Sequence, residues 1–273
     1  MAKLISADLT NNNLCILEYT TIDGQKLSIK PDSFDAKIVA HTYTDIGRII
    51  FGTPITKIGY EAFNGCSSLA SVIIPDSVTT IGESAFLYCY SLTSVTIPDS
   101  VTTIKNGAFS GCSSLKEFKG KFAADNGRCL IIDGVLNSFA IGCGVTEYTI
   151  PDSVTTIGYE AFFSCSSLIC VTIGDSVTTI GERVFCDCKL LSHLTIGKNV
   201  KEIGSRAFVG VFIEQYIGCL NIDMIICRAT TPPKLHRSSD STPTSFDKFE
   251  TLVVPTGCEE AYANSDWGYY LEE

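Results

Sequence analysis

The stretch SVTIPDSVTTIKNGAFSGCSSL, Ser94 to Leu115, decides the fold, because close copies of it recur along the chain. Its second isoleucine, Ile104, belongs to two series in which isoleucine recurs every 23 residues. The first series is Ile58, Ile81 and Ile104, and the second is Ile157, Ile180 and Ile203. The interval between the two series, from Ile104 to Ile157, is 53 residues, which is one unit of 23 plus one of 30. Six apolar positions recur after four of these isoleucines, Ile58, Ile81, Ile157 and Ile180. They lie 5, 8, 11, 14, 16 and 20 residues further on and carry Phe, Cys, Leu, Val or Leu, Ile and Val, respectively. Self-similarity at a fixed period is the signature of a repeat architecture.

One repeat unit contains two short strands and a tight turn. Leu92–Ile97 ends in an apolar and polar alternation, which is typical of a strand with one buried face. Pro98–Ser100 supplies turn residues, and Val101–Ile104 is a second, β-branched stretch. Gly107–Phe109 predicts a helical or 3₁₀ turn with an inward phenylalanine. No unit can bury these side chains alone, so we predict a leucine-rich-repeat-type right-handed solenoid of about seven coils, with short parallel strands and caps at both ends.

These residues and their copies resemble the BspA-type, or Treponema-type, leucine-rich repeat, over about Ile55 to Ile203. The family is chiefly bacterial, and the resemblance implies surface or secreted proteins that bind host matrix proteins, other cells or each other. Gly120–Val154 resembles an elongated, hairpin-bearing coil of this family. Cys227–Leu235, together with Leu252–Gly268, resembles its usual C-terminal end.

The chain is expected to have three parts: a capping hairpin region at 1–50, repeats at 51–229, and a loop with a C-terminal cap at 230–273. In the first part, Leu14–Thr20 and Lys26–Ile29 flank Asp23-Gly24, a two-residue hairpin signal. In the last part, Thr230–Phe249 is rich in Ser, Thr, Pro and Asp and indicates a loop, and we expect Trp267 to cover the end of the core. Solenoid ends need such covers because they expose apolar side chains and unpaired strand edges.

The chain has 13 cysteines, of which five share one offset of the repeat: Cys66, Cys89, Cys112, Cys165 and Cys188. A free cysteine behaves as a small buried apolar residue, so we expect a packing ladder of thiols. Disulfides between coils would leave one of the five unpaired. Cys186-Asp187-Cys188 resembles a two-thiol metal clip but lacks a second pair at zinc spacing, so no metal is expected.

Composition limits partners and location. The formal net charge of −10 disfavours nucleic acid, since phosphate backbones are repelled by an acidic surface. No apolar window is long enough for a transmembrane helix, and the first residues show no secretory signal. Location stays uncertain at this level: the resemblance implies the cell surface or secretion, whereas the missing signal allows an intracellular protein, a trimmed chain or another export route.

Catalytic motifs are not found. The chain has three histidines, His41, His193 and His236, and none has a histidine or cysteine four residues further on. The sequence contains no HExxH, GxSxG, P-loop, GxGxxG or EF-hand pattern. His193 occupies a strand position where other repeats carry serine, which indicates an ordinary surface histidine. We therefore expect no enzyme, with no catalytic, cofactor-binding or metal-binding residues and no cofactor.

The strand positions on either side of the Val offset point away from the core and should form two columns across the coils. One column is Ile73, Thr96, Lys119, Thr149, Thr172 and Thr195, and the other is Ser71, Ser94, Glu117, Glu147, Cys170 and His193. All of these except Cys170 form the predicted binding surface, because concave strand faces are the usual binding surfaces of solenoids. Ordinary exposed β-strand chemistry is the alternative explanation of these columns.

Two functional hypotheses follow. The first is a non-enzymatic adhesion protein that presents this surface to a protein or glycan outside the cell. The alternative is an intracellular or periplasmic protein–protein interaction scaffold. The exposed tyrosines expected on the turns are compatible with contact residues or with an unremarkable surface: Tyr60, Tyr88, Tyr90 and Tyr159.

Overall fold

The computed structural model describes residues 14–209, 221–237 and 245–271. The chain forms two compact units, Met1–Cys129 and Leu130–Glu273, hereafter unit 1 and unit 2. The expectation about an N-terminal secretory signal concerns residues that lie largely outside the described part of the chain, as do residues 238–244 of the predicted loop. The units divide in the middle of the repeats, so the cap boundaries at 50 and 230 stay a prediction.

Among the described residues of unit 1, nine of the ten strands form three small sheets. Its strands are β1 (Cys15–Thr21), β2 (Ile38–Tyr43), β3 (Gly47–Phe51), β4 (Lys57–Ile58), β5 (Leu69–Ile73), β6 (Thr80–Ile81), β7 (Ser94–Ile97), β8 (Thr103–Ile104), β9 (Glu117–Gly120) and β10 (Ala123–Ala124). A short 3₁₀ helix spans Pro31–Ser33. Strands β4, β6 and β8 are parallel, and Ile58, Ile81 and Ile104 are direct partners in the register. Residues 23 positions apart are therefore stacked in successive turns.

The predicted N-terminal hairpin is wrong in its second strand. Asp23-Gly24 does form a turn, in which Asp23 Oδ1 accepts a hydrogen bond from the Gln25 amide at 3.0 Å. Lys26–Ile29 forms no strand, and β1 instead pairs antiparallel with β3 on one side and with β5 on the other. The physical reason is that β1 gains ladder hydrogen bonds along almost its whole length from these two strands, which a short polar arm could not supply.

The described residues of unit 2 form a β-hairpin near its start and two sheets of parallel strands. Its strands are β11 (Cys129–Ile132, shared with the end of unit 1), β12 (Val135–Phe139), β13 (Glu147–Thr149), β14 (Thr156–Ile157), β15 (Cys170–Thr172), β16 (Thr179–Ile180), β17 (His193–Ile196), β18 (Glu202–Ile203), β19 (Asn221–Cys227), β20 (Lys234–Leu235) and β21 (Lys248–Val253). Strands β11 and β12 are neighbours joined by Asp133-Gly134, both in left-handed conformation. The sheet orders are β12-β14-β16-β18-β20 and β13-β15-β17-β19-β21.

Part of the predicted C-terminal loop is regular structure. Lys234–Leu235 forms β20, and Leu235 is the register partner of Ile203, so it occupies the isoleucine position of one more turn. Among the described residues this gives three such turns in unit 1 and five in unit 2, one more than predicted. A 3₁₀ helix at Ile141–Cys143, the α-helix α1 (Glu259–Ala263) and a 3₁₀ helix at Asp266–Tyr270 complete unit 2. The predicted parallel-strand leucine-rich-repeat solenoid is confirmed.

Phenylalanine rings stack along the core of each unit. In unit 1, Phe86 lies between Phe63 and Phe109 with ring centroids 5.1 and 5.3 Å apart and nearly parallel planes. In unit 2, the stack runs Phe139, Phe162, Phe185, Phe208 and Phe246, with neighbouring centroids 4.4 to 5.2 Å apart. Trp267 is fully buried against Phe246, and its indole N–H donates to the Pro233 carbonyl at 2.8 Å. The expectation that Trp267 covers core side chains is confirmed.

The five cysteines at the shared offset are buried free thiols, as predicted. The Cys89 thiol donates to the Phe63 carbonyl at 3.2 Å, and Cys188 donates to the Phe162 carbonyl at the same distance. Cys66, in the first turn, donates to Ser28 of the N-terminal segment instead. The thiols of Cys66, Cys89, Cys112 and Cys188 therefore each satisfy a backbone carbonyl, and all five cysteines fill the space of about one small side chain.

The turns between the strands contain left-handed residues at fixed positions. The third residue after each repeat isoleucine has a positive φ of 53° to 62°, and these residues are Glu61, Ser84, Gly107, Glu160, Arg183 and Arg206. Only one of the six is glycine, although glycine adopts this conformation without a steric cost. After these residues, a backbone amide donates to the carbonyl three residues earlier, as Ser110 N–H does to the Gly107 carbonyl. These hydrogen bonds make compact turns of the 3₁₀ type.

Candidate binding surface

In unit 2, the predicted outward positions form two straight columns on the sheet β13-β15-β17-β19-β21. Thr149, Thr172 and Thr195 are consecutive register partners, and so are Glu147, Cys170 and His193. The side chains between these columns, Tyr148, Val171 and Leu194, are buried. The alternation therefore places the predicted residues of unit 2 together on the outer face, with neighbouring strands about 4.8 Å apart.

The same columns continue over two strands that the repeat spacing did not identify. Ile226 follows Thr195 and then pairs with Val253, while Met224 follows His193 and pairs with Thr251. Ile226 and Val253 are large apolar side chains with 36% and 44% exposure. The outer face of unit 2 therefore changes from threonine to apolar residues along one column. The alternation of residue types along β19 and β21 is the sequence signal from which these outward positions could have been predicted.

In unit 1, the predicted residues lie on β5, β7 and β9. Ser94 and Glu117 are register partners, as are Thr96 and Lys119. The Lys119 ammonium is 2.8 Å from the Glu117 carboxylate, in a pair that is about half exposed and thus contributes little stability. Ile73 is strongly exposed, with 63% of its surface accessible.

Strand β1 adds outward residues beside β5 in unit 1. The Thr20 hydroxyl is 2.7 Å from the Ser71 hydroxyl, and Glu18 is the register partner of Ile73. Glu18 also accepts a hydrogen bond from Arg48 Nε at 2.8 Å. Exposed Ile16 lies two residues before Glu18 on the same face. Sequence reasoning missed these positions because they lie outside the repeats and meet β5 through a non-local antiparallel pairing.

Glu147, Cys170 and His193 form a column of three chemically reactive residue types. Burial, and secondarily the charge of Glu147, raises the pKa of the Cys170 thiol. A nucleophilic cysteine requires the opposite shift, toward thiolate at neutral pH. The His193 ring nitrogen Nδ1 is 2.8 Å from the hydroxyl of Ser192. The arrangement therefore presents polar contact groups and does not have the features of an activated nucleophile.

The threonines directly before strands β6, β8 and β16 use their hydroxyls within the fold. The Thr79 and Thr102 hydroxyls in unit 1 donate to the backbone carbonyls of Thr56 and Thr79, at 3.2 and 3.3 Å. Thr178 in unit 2 donates to the Thr155 carbonyl in the same way. These threonines connect neighbouring turns, so their hydroxyls are already satisfied. The outward columns on β13, β15 and β17 offer more available hydrogen-bonding groups.

The four turn tyrosines differ in exposure. Tyr60 and Tyr90 are 57% and 48% exposed, while Tyr88 and Tyr159 are half-buried. Burial raises the pKa of Tyr159 to about 12.

Within the described part of the chain, no helix is long and apolar enough to cross a membrane. The same residues include no cluster of three or more His, Cys, Asp or Glu side chains arranged to hold a metal ion.

Solved structures of leucine-rich repeat proteins resemble this chain. A leucine-rich cell surface protein from Faecalibacterium prausnitzii A2-165 is 26% identical, with a TM-score of 0.52, and the match covers 76% of this chain and 60% of that one. This chain thus spans about 60% of the length of that protein. A leucine-rich repeat protein of T. pallidum is 28% identical over 70% of this chain and 88% of its own, with a TM-score of 0.39. A search of curated proteins found no match.

The repeats also match a family model. The model, described as a BspA type leucine rich repeat region, matches residues 37–123 and 136–226 in six copies. This match supports the interpretation of the chain as a repeat protein with a role in protein binding. Since the matched residues make up more than half of the sequence, this chain belongs to the BspA-type leucine-rich repeat family.

Proposed function

We propose that this chain is a non-enzymatic adhesion protein that binds a protein partner through the outward strand columns. The observation that carries the proposal is the column Thr149, Thr172, Thr195, Ile226 and Val253 in unit 2, which is in register over five strands. A rigid backbone holds these side chains in place, so little conformational entropy is lost on binding. Exposed apolar residues beside polar ones are typical of a protein-binding surface.

Display at the cell surface is part of the proposal. It draws on the similarity to the F. prausnitzii protein, which is a leucine-rich cell surface protein, and on membership of the family. The alternative is an interaction scaffold inside the cell or in the periplasm. Protease treatment of intact cells separates the two, because a displayed chain is cleaved and an internal chain is protected. Protection of this chain in intact cells would contradict adhesion.

The binding test uses the purified chain and a panel of immobilised extracellular-matrix proteins. The variant Thr172→Arg/Thr195→Arg places two large cations on adjacent strands of the outward column. The matched control is Thr156→Arg/Thr179→Arg, since these two threonines are register partners on the other sheet of the same unit and are equally half-buried. We expect the first variant to weaken binding by about tenfold or more and the control to retain it.

Two results would count against the strand surface. If both variants bind as the parent does, or if the control loses as much affinity as the test variant, another surface makes the contact. Binding to immobilised glycans in place of every protein on the panel would favour a glycan ligand. Thermal unfolding of each variant shows that any loss of binding does not come from a loss of folding.

A further inference from the structure

We propose that a depression in unit 1, separate from the strand columns, binds a neutral saccharide. The depression lies between the 3₁₀ helix Pro31–Ser33 and the first repeat turn, and its volume is about 570 Å³. Small-molecule sites commonly have volumes of roughly 300 to 1,000 Å³, so one or two sugar rings fit this space. Its polar lining residues are Lys30, Asp32, Ser33, Asp35 and Lys57, and its aromatic lining residues are Tyr60 and the buried Phe34.

Backbone hydrogen bonds hold the walls of the depression together. The Gly59 amide donates to the Ser33 carbonyl at 2.7 Å, and the Ser33 hydroxyl donates to the Tyr60 carbonyl at 2.6 Å. The Lys30 amide donates to the Ala62 carbonyl at 3.2 Å. A Cβ atom at Gly59 would lie 2.3 Å from the Ser33 carbonyl oxygen, so glycine is needed for this close approach. The depression is therefore formed before any ligand binds, which reduces the entropic cost of binding.

Tyr60 supplies an aromatic surface. Its side chain is more than half exposed although it lines the depression, and the neighbouring Glu61 carboxylate raises the pKa of its hydroxyl. Lys30 pairs with Glu61, and its ammonium lies 5.6 Å from the centroid of the Tyr60 ring. The ring is thus positioned by two charged neighbours without being buried. A fixed, exposed aromatic face can pack against the C–H face of a sugar ring and exclude water from it.

The charges in the depression favour a neutral, hydroxyl-rich ligand. The Asp35 carboxylate accepts hydrogen bonds from the backbone and hydroxyl of Thr56 and from the Lys57 amide, so its acceptors are largely used. Among the described residues, neither the Asp32 carboxylate nor the Lys57 ammonium forms an ion pair. One offers acceptors and the other offers donors to hydroxyl groups. Because carboxylates lie beside the lysines, an anionic ligand such as a phosphate is disfavoured.

The experiment is a titration of the ¹⁵N-labelled full chain with defined oligosaccharides, followed by amide chemical shifts. The neutral probes are maltotriose, cellotriose, chitotriose and N-acetyllactosamine, and the charged probe is 3′-sialyllactose. We expect at least one neutral probe to bind at millimolar concentration and to shift amides of residues 30–35 and 57–61. The charged probe should bind more weakly. The absence of such shifts with every neutral probe at about 10 mM, or tighter binding of the charged probe, overturns the proposal.

Three variants locate the site. Tyr60→Ala removes the aromatic face and should weaken saccharide binding by about tenfold, whereas Tyr60→Phe keeps the ring and should stay within about threefold of the parent. The control is Tyr90→Ala, which removes an exposed tyrosine elsewhere in unit 1 and should leave saccharide binding unchanged. Unchanged binding by folded Tyr60→Ala would overturn the proposal. The Thr172→Arg/Thr195→Arg variant should bind saccharide normally, so this proposal and the proposed protein-binding function fail independently.

Discussion

Units 1 and 2 build the same interior and present different exteriors. Each stacks repeat isoleucines in direct register and phenylalanine rings about 5 Å apart. Outside, unit 1 carries the Glu117–Lys119 ion pair and an added antiparallel strand, β1. Unit 2 carries a five-strand column that passes from threonine to isoleucine and valine. The difference shows that the repeat spacing dictates what is buried, while the outward positions are free to vary with function.

Burying a charge at the leucine offset should have the largest effect, and the effect should be the same in both units. Leu92 in unit 1 and Leu168 in unit 2 are fully buried. Leu92→Asp and Leu168→Asp each place a carboxylate among apolar side chains, at a cost of several kcal/mol out of a total stability of roughly 5–15 kcal/mol. We expect loss of the cooperative thermal transition by circular dichroism. The exposed neighbours provide controls, Thr93→Asp and Ile169→Asp, which should melt close to the parent. A Leu92→Asp protein that melts within about a degree of the parent would show that the leucine offset is assigned to the wrong face.

Removing one ring from each stack tests whether the two cores are energetically equivalent. Phe86 and Phe185 are fully buried, and each has a stacked neighbour on both sides. Phe86→Ala and Phe185→Ala should each lower the free energy of unfolding by about 3–5 kcal/mol, through lost burial and the cavity left behind. Urea unfolding measures both, and the single tryptophan, Trp267, reports on unit 2. Costs that differ by more than about 2 kcal/mol would contradict equivalent packing.

The interior could be predicted from the sequence because burial imposes one residue class per offset. Phe63, Phe86 and Phe162 all lie five positions after their isoleucines, and each ring is found in a stack. Phe139 was missed because it lies three positions after Leu136, the register partner of Ile157. β20 was missed because Leu235 follows Ile203 by 32 residues and because the strand begins directly after the turn residues Thr-Thr-Pro-Pro.

The candidate surface was only partly predictable for a related reason. Outward positions within the repeats could be deduced from the strand alternation, and the register partners agree with that deduction. Ile226 and Val253 lie beyond the regular spacing, so offset arithmetic did not reach them. Pairing of β1 with β5 joins residues about 50 positions apart, and no local signal specifies such a contact. The depression at Tyr60 depends on the same non-local packing of the N-terminal segment.

The thiol ladder gives a smaller effect that should again be equal in the two units. A hydrogen bond with the Cys112 thiol and burial raise the pKa of Cys89, and burial raises that of Cys188. Both therefore stay protonated and act as small apolar residues. Cys89→Ala and Cys188→Ala should each cost about 1–2 kcal/mol, from lost packing and one lost thiol–carbonyl hydrogen bond. The midpoint of thermal unfolding of the parent should not change with reductant. A shift of several degrees on reduction would indicate a disulfide and contradict the ladder of free thiols.

The smallest predicted effect distinguishes the units, since it arises from a histidine in unit 1. The Tyr19 hydroxyl accepts a hydrogen bond from the Leu27 amide, and it forms a second hydrogen bond with His41 Nε2, with a distance of 2.7 Å between the two atoms. Burial, and secondarily the charge of Lys26, lowers the pKa of His41 from 6.5 to about 4. The unfolded chain thus binds a proton that the folded chain does not bind between these values, so His41 contributes stability above pH 6.5 that is lost as the pH falls toward 4. Because His41 is only half-buried, solvent screening keeps this contribution small.

Replacement of His41 should reduce this pH dependence. His41→Gln retains an acceptor for the Tyr19 hydroxyl and removes the titrating ring. We expect the free energy of unfolding of His41→Gln, measured in urea, to fall less steeply than that of the parent between pH 6.5 and 4. Thr42→Val changes an exposed neighbour on β2 and should keep the slope of the parent. If parent and His41→Gln have the same slope, His41 takes up its proton equally in the folded and unfolded chains, and acid sensitivity does not distinguish unit 1 from unit 2 through this residue.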